Sequence, residues 1–341
     1  MVRVAINGFG RIGRTFFRLA FNHPDFEVVA FNDLGDLENL AYLLKYDSVY
    51  GRSPFSVEVK DGGLLVDGKK INFTSEREPN KLPWKDLNID IVVESTGFFT
   101  TYEGSKLHLD AGAKKVVISA PVKGDAEKVG VTGATVLMGV NDELLKTCQI
   151  TSNASCTTNA TSPLIAILKE VIGIEKAVLN TVHAYTASQT LVDAPSKRDM
   201  RAGRSAALNI VPSTTGAAIA TTLAHTELTD KFDGIAMRVP VPVGSIVDVT
   251  FIASRDTTVE EINNAFRKAA ADPKWQNLFA VTDEEIVSTD IIGSRVGSIA
   301  DLSFTKVVGG NLVKVLAWYD NETSYTQTLV EHVSKAAKTL N

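Results

Sequence analysis

Cys156 lies in the segment Asn153-Ala154-Ser155-Cys156-Thr157-Thr158-Asn159, one of two cysteines in the chain, among small hydroxyl and amide residues. A sulfur nucleophile needs such a setting. The apolar run Ser162 to Ile172 (SPLIAILKEVI) reads as a helix whose start falls near Cys156. Unpaired amides and the positive end of the helix dipole there favour thiolate over thiol. His183 follows as a candidate proton acceptor. A lone cysteine is more often a small buried hydrophobe. Polar donors around this one, and a cofactor motif at the N-terminus, imply instead the oxidation of an aldehyde through a covalent intermediate.

That motif is Gly8-Phe9-Gly10-Arg11-Ile12-Gly13, between the strand-like run Val2 to Asn7 (VRVAIN) and the helical stretch Arg14 to Phe21. Such a string alone is weak. Here a second strand, Glu27 to Asn32, ends in Asp33, and this acid follows Gly13 at about the 20-residue spacing of a ribose-binding carboxylate. The glycines let the backbone approach a pyrophosphate at the helix N-terminus. Asp33 would bind the adenosine ribose and repel a 2′-phosphate, which favours NAD over NADP. Further parallel strands are expected at Ile89 to Glu94 and Lys115 to Ser119. Ligands sit beyond the carboxyl ends of such strands, so Ser95, Thr96 and Ser119 are candidate cofactor neighbours. Phe55 to Phe73, with its Asp-Gly turns, reads as an antiparallel insertion.

The 341 residues are 44% hydrophobic and 22% charged, with mean hydropathy +0.05, as expected of a soluble chain with room for two domains. A net charge of −5 and a pI near 5.6 give no global field for nucleic acid or anionic membranes. No apolar run approaches the roughly 20 residues of a membrane span, so a cytoplasmic location is the expectation. Cys148 and Cys156 lack C-x-x-C spacing, and the five histidines are scattered; neither disulfide nor metal is expected.

Past the Cys156 helix, long strand-like runs at Ala177 to Ala184, Gly234 to Val239, Ser245 to Ala253 and Asn311 to Trp318 imply a separate domain with a mixed or antiparallel sheet. The polar, basic stretch between Tyr185 and Ala206 is long for an idle connection. Lys197 and Arg198 in it read as solvated surface. Arg238, inside the apolar strand GIAMRVP, is costly to bury unless it faces an anion or a carboxylate. Ser213-Thr214-Thr215-Gly216 reads as a helix N-cap, a phosphate seat, or both.

NGFGRIGR, Asn32-Asp33, ESTGFFT, SNASCTTN, HAYTASQ, VPSTTGAA, AMRVP and WYDNE occur in this order. Through them the whole chain resembles the phosphorylating glyceraldehyde-3-phosphate dehydrogenase family. The resemblance implies an α/β fold: a Rossmann-type doubly wound parallel sheet domain over 1–155, joined by a C-terminal helix at 322–341, and an α+β catalytic domain over 156–321. It implies Cys156 as nucleophile and His183 as base. Thr186 and Arg238 would hold the substrate phosphate, and Ser155, Thr157, Thr215 and Gly216 the inorganic phosphate. Asn321 would hold the nicotinamide carboxamide, with Arg77 and Ser119 lining the cofactor cleft. A homotetramer is implied, with the 185–206 loop near a neighbour's cofactor.

Some residues depart from the family's text. Val239-Pro240-Val241-Pro242-Val243-Gly244-Ser245 stands where the family commonly has Thr-Pro-Asn-Val-Ser, Ser324 replaces a glycine, and Ala160 a second cysteine. Ala194 occupies a position often held by leucine or glycine, while Leu34 and Pro195 are not the hydroxyl residues of dual-cofactor forms.

The chemistry follows from an aldehyde's reluctance to surrender hydride. Addition of Cys156 gives a thiohemiacetal, His183 takes its hydroxyl proton as hydride leaves, and the thioester passes to phosphate. A neighbouring imidazolium and the helix N-terminus are expected to lower the Cys156 pKa towards neutrality. Erythrose-4-phosphate dehydrogenase, which typically lacks an STTG-type segment, is the enzymatic rival. An RNA-binding role finds little support in the charge or in any aromatic-basic pattern.

Overall fold

The computed structural model describes residues 1–196 and 199–340. Lys197 and Arg198, expected as solvated surface, lie outside the described residues. The chain divides into two compact units, Met1–Ala154 with Leu329 onward, and Ser155–Thr328.

The first unit contains β1 (Val2–Asn7), α1 (Arg11–Ala20), β2 (Phe26–Asn32), α2 (Leu37–Lys45), β3 (Tyr46–Asp47), β4 (Gly51–Arg52), β5 (Val57–Lys60), β6 (Gly63–Val66) and β7 (Lys69–Thr74). It continues with β8 (Ile91–Glu94), α3 (Tyr102–Asp110), β9 (Lys115–Ile118), β10 (Gly133–Thr135) and β11 (Ile150–Ser152). Nine strands form one sheet in the order β10-β11-β9-β8-β1-β2-β7-β6-β5. Pairing is parallel from β10 to β7, and β6 and β5 extend the edge antiparallel. The insertion expected at Phe55 to Phe73 is thus a meander whose last strand joins the parallel sheet beside β2. Helices cover both faces of such a sheet, so β1 is buried almost throughout, with apolar Val, Ala and Ile. β2 lies on one side of β1 and β8 on the other. The chain order reverses there, which opens a crevice beyond the strand ends.

The second unit contains α4 (Cys156–Ile172), β12 (Lys176–Ala184), β13 (Val211–Thr214), α5 (Ala217–Thr222), β14 (Phe232–Val239), β15 (Ser245–Ile252) and α6 (Val259–Ala270). β16 (Phe279–Thr282), β17 (Ser298–Val308), β18 (Leu312–Tyr319) and α7 (Thr323–Lys338) complete the chain. The unit boundary falls within α7. The sheet order is β13-β14-β12-β15-β18-β17-β16. β12 pairs parallel with β14 and β16 with β17, and the other pairs are antiparallel, so the sheet is mixed. Burial alternates along β15 because one face, with Val247, Val249 and Phe251, packs inward. α4 packs against β15, β17 and β18. No helix among the described residues is long and apolar enough to cross a membrane.

Candidate active site

α1 begins at Arg11, three residues before the expected start at Arg14, so Ile12 and Gly13 are helical. Low helix propensity at glycine hides this start. A Cβ on Gly13 would lie 2.1 Å from the Gly8 carbonyl oxygen, and one on Gly8, at φ +94°, 2.6 Å from the Thr96 amide nitrogen. Helix, turn and the end of β8 therefore touch through bare backbone. A Cβ on Gly10, the helix N-cap, would meet nothing within 4 Å. That open approach to the N-terminus of α1 is what a pyrophosphate requires.

Beside it is a cavity of about 560 Å³ walled by residues that include Gly8, Gly10, Asn32, Asp33, Arg77, Ser95 and Thr96. Asp33 Oδ2 accepts from the Phe9 amide at 2.7 Å and Oδ1 from the Gly35 amide at 2.8 Å. Each oxygen retains a lone pair for a ribose hydroxyl. These residues fit a dinucleotide. Phe9 itself is buried and stacks on Phe31, and Arg11 pairs with Asp47 at 2.8 Å. Ser119 is bonded through its amide to the Glu94 carbonyl and is not among the residues lining the cavity.

Sequence reading missed the layer beneath. Glu94 and His108 are fully buried, with Oε2 3.0 Å from Nε2 and 2.6 Å from Asn7 Nδ2. Trp84 Nε1 donates to His108 Nδ1 at 3.0 Å, which leaves the ring proton on Nε2 to serve Glu94. Asn32 Nδ2 donates to Asn7 Oδ1, and its own Oδ1 accepts from the Glu76 amide and Thr74 hydroxyl. The polar floor of the cavity is thereby held from six separate chain segments.

Within the second unit, Cys156 is the first residue of α4, and Ser155 is the N-cap, accepting from the Thr158 amide. Cys156 Sγ lies 3.3 Å from His183 Nε2. His183 ends β12 opposite Arg238 of β14, a direct register pair. Arg238 Nη1 is 2.6 Å from His183 Nδ1 and 3.1 Å from the Ala184 carbonyl. The Thr157 hydroxyl is buried on Tyr319, whose hydroxyl also meets Thr181, while the tyrosine ring packs edge-on to His183 at 5.9 Å. Tyr319 is a second contributor that sequence reading passed over, although it lies in WYDNE.

Ala154, just before this segment, has φ +54° without being glycine. Such a conformation costs on the order of 1–3 kcal/mol and persists only where neighbours enforce it. The Ala154 amide donates to Ser152 Oγ, and His332 holds Asn153 Oδ1 at 3.1 Å.

The expected thiolate–imidazolium pair is not the state this geometry favours, and that expectation is corrected. Burial pushes the Cys156 thiol up, against the opposing pull of Arg238 and hydrogen bonds at the head of the helix. Burial, then the Arg238 charge, lowers His183 to about 3. Both shifts run against the expected thiolate–imidazolium pair, and the Arg238 guanidinium is the permanent positive charge beside it.

The remaining candidates scatter. Thr186 is bonded to Ser188 at 2.9 Å. Thr215 Oγ1 accepts from the Ala217 amide, and Gly216 caps α5. The register from Val211 opposite Arg238 to Thr214 opposite Ile235 carries Thr215 away from Arg238 along β14. Asn321 Oδ1 accepts from the Gly244 amide at 3.1 Å and the Ser245 hydroxyl at 3.2 Å. Asn321 Oδ1 is thus fixed by two residues of the segment that departs from the family text. Gly244 has φ +98°, with the Ser288 carbonyl 2.7 Å from any Cβ, so this backbone demands glycine.

Residues 2–102 match a family model described as glyceraldehyde 3-phosphate dehydrogenase, NAD binding domain, and residues 155–321 its C-terminal domain. Glyceraldehyde-3-phosphate dehydrogenase of Thermotoga maritima is 50% identical, over 97% of this chain and 98% of its own. Those of Geobacillus stearothermophilus (48%; 97% and 96% covered) and Clostridium pasteurianum (46%; 99% and 100%) are similar along their whole lengths. A dinucleotide crevice at the switch point of a parallel sheet, with this match, defines an NAD-dependent oxidoreductase. The chain belongs to the glyceraldehyde-3-phosphate dehydrogenase family.

Proposed function

We propose that the chain catalyses phosphorylating oxidation of D-glyceraldehyde 3-phosphate to 1,3-bisphosphoglycerate, with Cys156 as nucleophile and His183 as the proton-transferring partner. The observation that carries this reading is the 3.3 Å approach of Sγ to Nε2 at the first residue of α4. The Cys156 proton passes to His183 Nε2 as Sγ adds to the aldehyde carbon, forming a C–S bond, and the same proton then passes from Nε2–H to the resulting oxyanion. His183 then withdraws that hydroxyl proton as the C–H bond breaks. NAD, when bound, supplies the hydride acceptor. The thioester left on Cys156 is attacked by an inorganic phosphate oxygen, the C–S bond breaks and the acyl phosphate departs. The Cys156 amide, without an intrahelical acceptor at this position, and Nε2–H stabilise the oxyanion.

Gly8, Gly10, Gly13, Asn32, Asp33, Arg77, Ser95 and Thr96 would hold the dinucleotide, with Leu34 and Phe98 as exposed apolar walls suited to a flat base. Asn321 would donate to the carboxamide. Thr186 and Arg238 would take the substrate phosphate, and Ser155, Thr157, Thr215 and Gly216 the attacking phosphate. We include a homotetramer in the proposal, since Val178, Ile219 and Ile235 leave an apolar exposed patch, and light scattering tests it.

The deciding assay follows NADH absorbance with glyceraldehyde 3-phosphate, with and without inorganic phosphate. Phosphate-dependent turnover, abolished by Cys156→Ser while NAD still binds, is the expected result. Turnover indifferent to phosphate would refute the acyl-phosphate step, and undiminished turnover of Cys156→Ser the nucleophile.

A further inference from the structure

Ser245 opens β15, the strand that lies between β12, which carries His183, and β18, which runs into Asn321. It pairs with Tyr319 across β18, while its neighbour Ile246 pairs with Val182, next to His183, across β12. The register thus brings Ser245, which is buried, to the meeting point of the segment ending in the base and the segment ending in Asn321.

The hydrogen bonds there run in one direction. The Ala184 amide donates to Ser245 Oγ at 3.1 Å, so the hydroxyl turns its own proton to Asn321 Oδ1 at 3.2 Å. The Gly244 amide donates to the same atom at 3.1 Å, and because a backbone N–H only donates, that atom is the amide oxygen and not Nδ2. Reversing the Asn321 amide would set N–H against N–H and strand the Ser245 proton. With both lone pairs of Oδ1 engaged, Asn321 can read a ligand only as a donor, through Nδ2. Ala184 carries the orienting bond of the base as well. Its carbonyl accepts from His183 Nδ1–H at 2.7 Å, which leaves the Nε2 lone pair for Sγ at 3.3 Å. One residue therefore ties His183 through its carbonyl and Ser245 through its amide.

We propose that Ser245 is a positioning residue for hydride transfer: its hydroxyl holds Asn321 in the donor orientation, so that the carbonyl oxygen of a nicotinamide is fixed relative to the residue that orients the base. This role rests on the reading of Asn321 and His183 given above. The carboxamide is attached beside the ring carbon that receives hydride, so a misdirected carbonyl swings that carbon off the line of transfer. Gly244 shares the task by backbone alone. Its φ of +98° and the Ser288 carbonyl 2.7 Å from any Cβ mean that a side chain at this position would move the second donor.

The test sets NAD against its thionicotinamide analogue in the full-length protein. The two differ only in the carbonyl atom, and sulfur is a weak acceptor where oxygen is a strong one. Their adenosine halves are identical, so the ratio of their kcat/KM values isolates the bond from Asn321. Ser245→Ala should lower the NAD to thio-NAD ratio about fivefold, the worth of roughly one neutral hydrogen bond. Ser245→Thr keeps the hydroxyl on a strand that suits β-branched residues, and should hold the ratio near wild type. Asn321→Ala should lower the ratio at least as far as Ser245→Ala does, and adding Ser245→Ala to it should lower it no further. General damage to the fold slows both cofactors alike and leaves the ratio in place. A ratio within about twofold of wild type in Ser245→Ala, where Asn321→Ala does lower it, overturns the role of Ser245. So does an equal further fall when residue 321 is already alanine, or a fall in Ser245→Thr as large as in Ser245→Ala. A ratio unmoved by Asn321→Ala itself overturns instead the reading of Asn321 as the carboxamide partner, and Ser245 loses its role with it.

Discussion

Asp33→Asn should collapse the discrimination between NAD and NADP. The carboxylate is pinned by the Phe9 and Gly35 amides, at 2.7 and 2.8 Å, and lines the cofactor cavity. Asparagine keeps the shape and one acceptor, which can retain the Phe9 amide bond and hold the loop between β1 and α1, while the bond from the exposed Gly35 amide passes to water. It loses the charge. With a 2′-phosphate of nearly two negative charges about 5 Å away, Coulomb repulsion is roughly 1.5 kcal/mol at the dielectric of water and about 6 at an effective value of 20. The cavity is open to solvent, so about 2 kcal/mol is the reasonable figure. Losing one charge-assisted bond from the ribose costs NAD about 1.5 kcal/mol more. Together these predict a fall in the NAD:NADP ratio of kcat/KM of about two to three orders of magnitude, with directly measured Kd values moving in parallel. A ratio that stays within about threefold of wild type, in a variant of unchanged melting temperature, would refute the assignment of Asp33 to the ribose.

The glycine turn gives a paired prediction. Gly13→Ala puts a methyl 2.1 Å from a backbone oxygen and should destabilise the first unit by about 1–3 kcal/mol, whereas Gly10→Ala meets open space and should melt within a few degrees of wild type yet bind NAD poorly. Thermal denaturation and NAD titration separate the two. Tyr319→Phe removes a hydroxyl bridging Thr157 and Thr181 and should cost about 1–3 kcal/mol in urea unfolding, because Thr181 keeps the Ile246 carbonyl but Thr157 loses its close partner. Acid should also weaken the fold early. Burial lowers His183 and His332 to about 3 and His225 to about 4, all below the unfolded value near 6.5. Below that value the unfolded chain binds protons the native state refuses, so stability present above pH 6.5 is lost as pH falls, by about 1.4 kcal/mol per pH unit for each histidine. Urea midpoints that stay flat between about pH 6.5 and 5.5, above the carboxylate range, would contradict this.

Much of the first unit was legible because its signals are local. β1, the glycines and Asp33 lie within one short stretch of chain, and each residue type answers a backbone or charge requirement that sequence alone exposes. The helix start was misplaced at Arg14 because Gly13 is selected for its closeness to Gly8 and not for helix propensity. Pairings such as β16 with β17, or the meander joining β2 through β7, were beyond reach, since register between distant strands is decided by packing. The Glu94–His108–Trp84 chain was invisible for the same reason: nothing in the spacing of a glutamate, a histidine and a tryptophan says that they share one buried chain of hydrogen bonds.

The site shows where residue types stop being informative. Cys156 beside a helix start and a histidine permits opposite protonation states, because the helix dipole and a cation stabilise thiolate while burial disfavours it. Which prevails depends on solvent access, and here burial prevails in both partners. Arg238 sharpens the point. Read in sequence, an arginine in an apolar strand requires an acceptor, and phosphate is the natural one. In the fold, the register of β12 and β14 sets His183 across from it, and the same guanidinium reaches the imidazole.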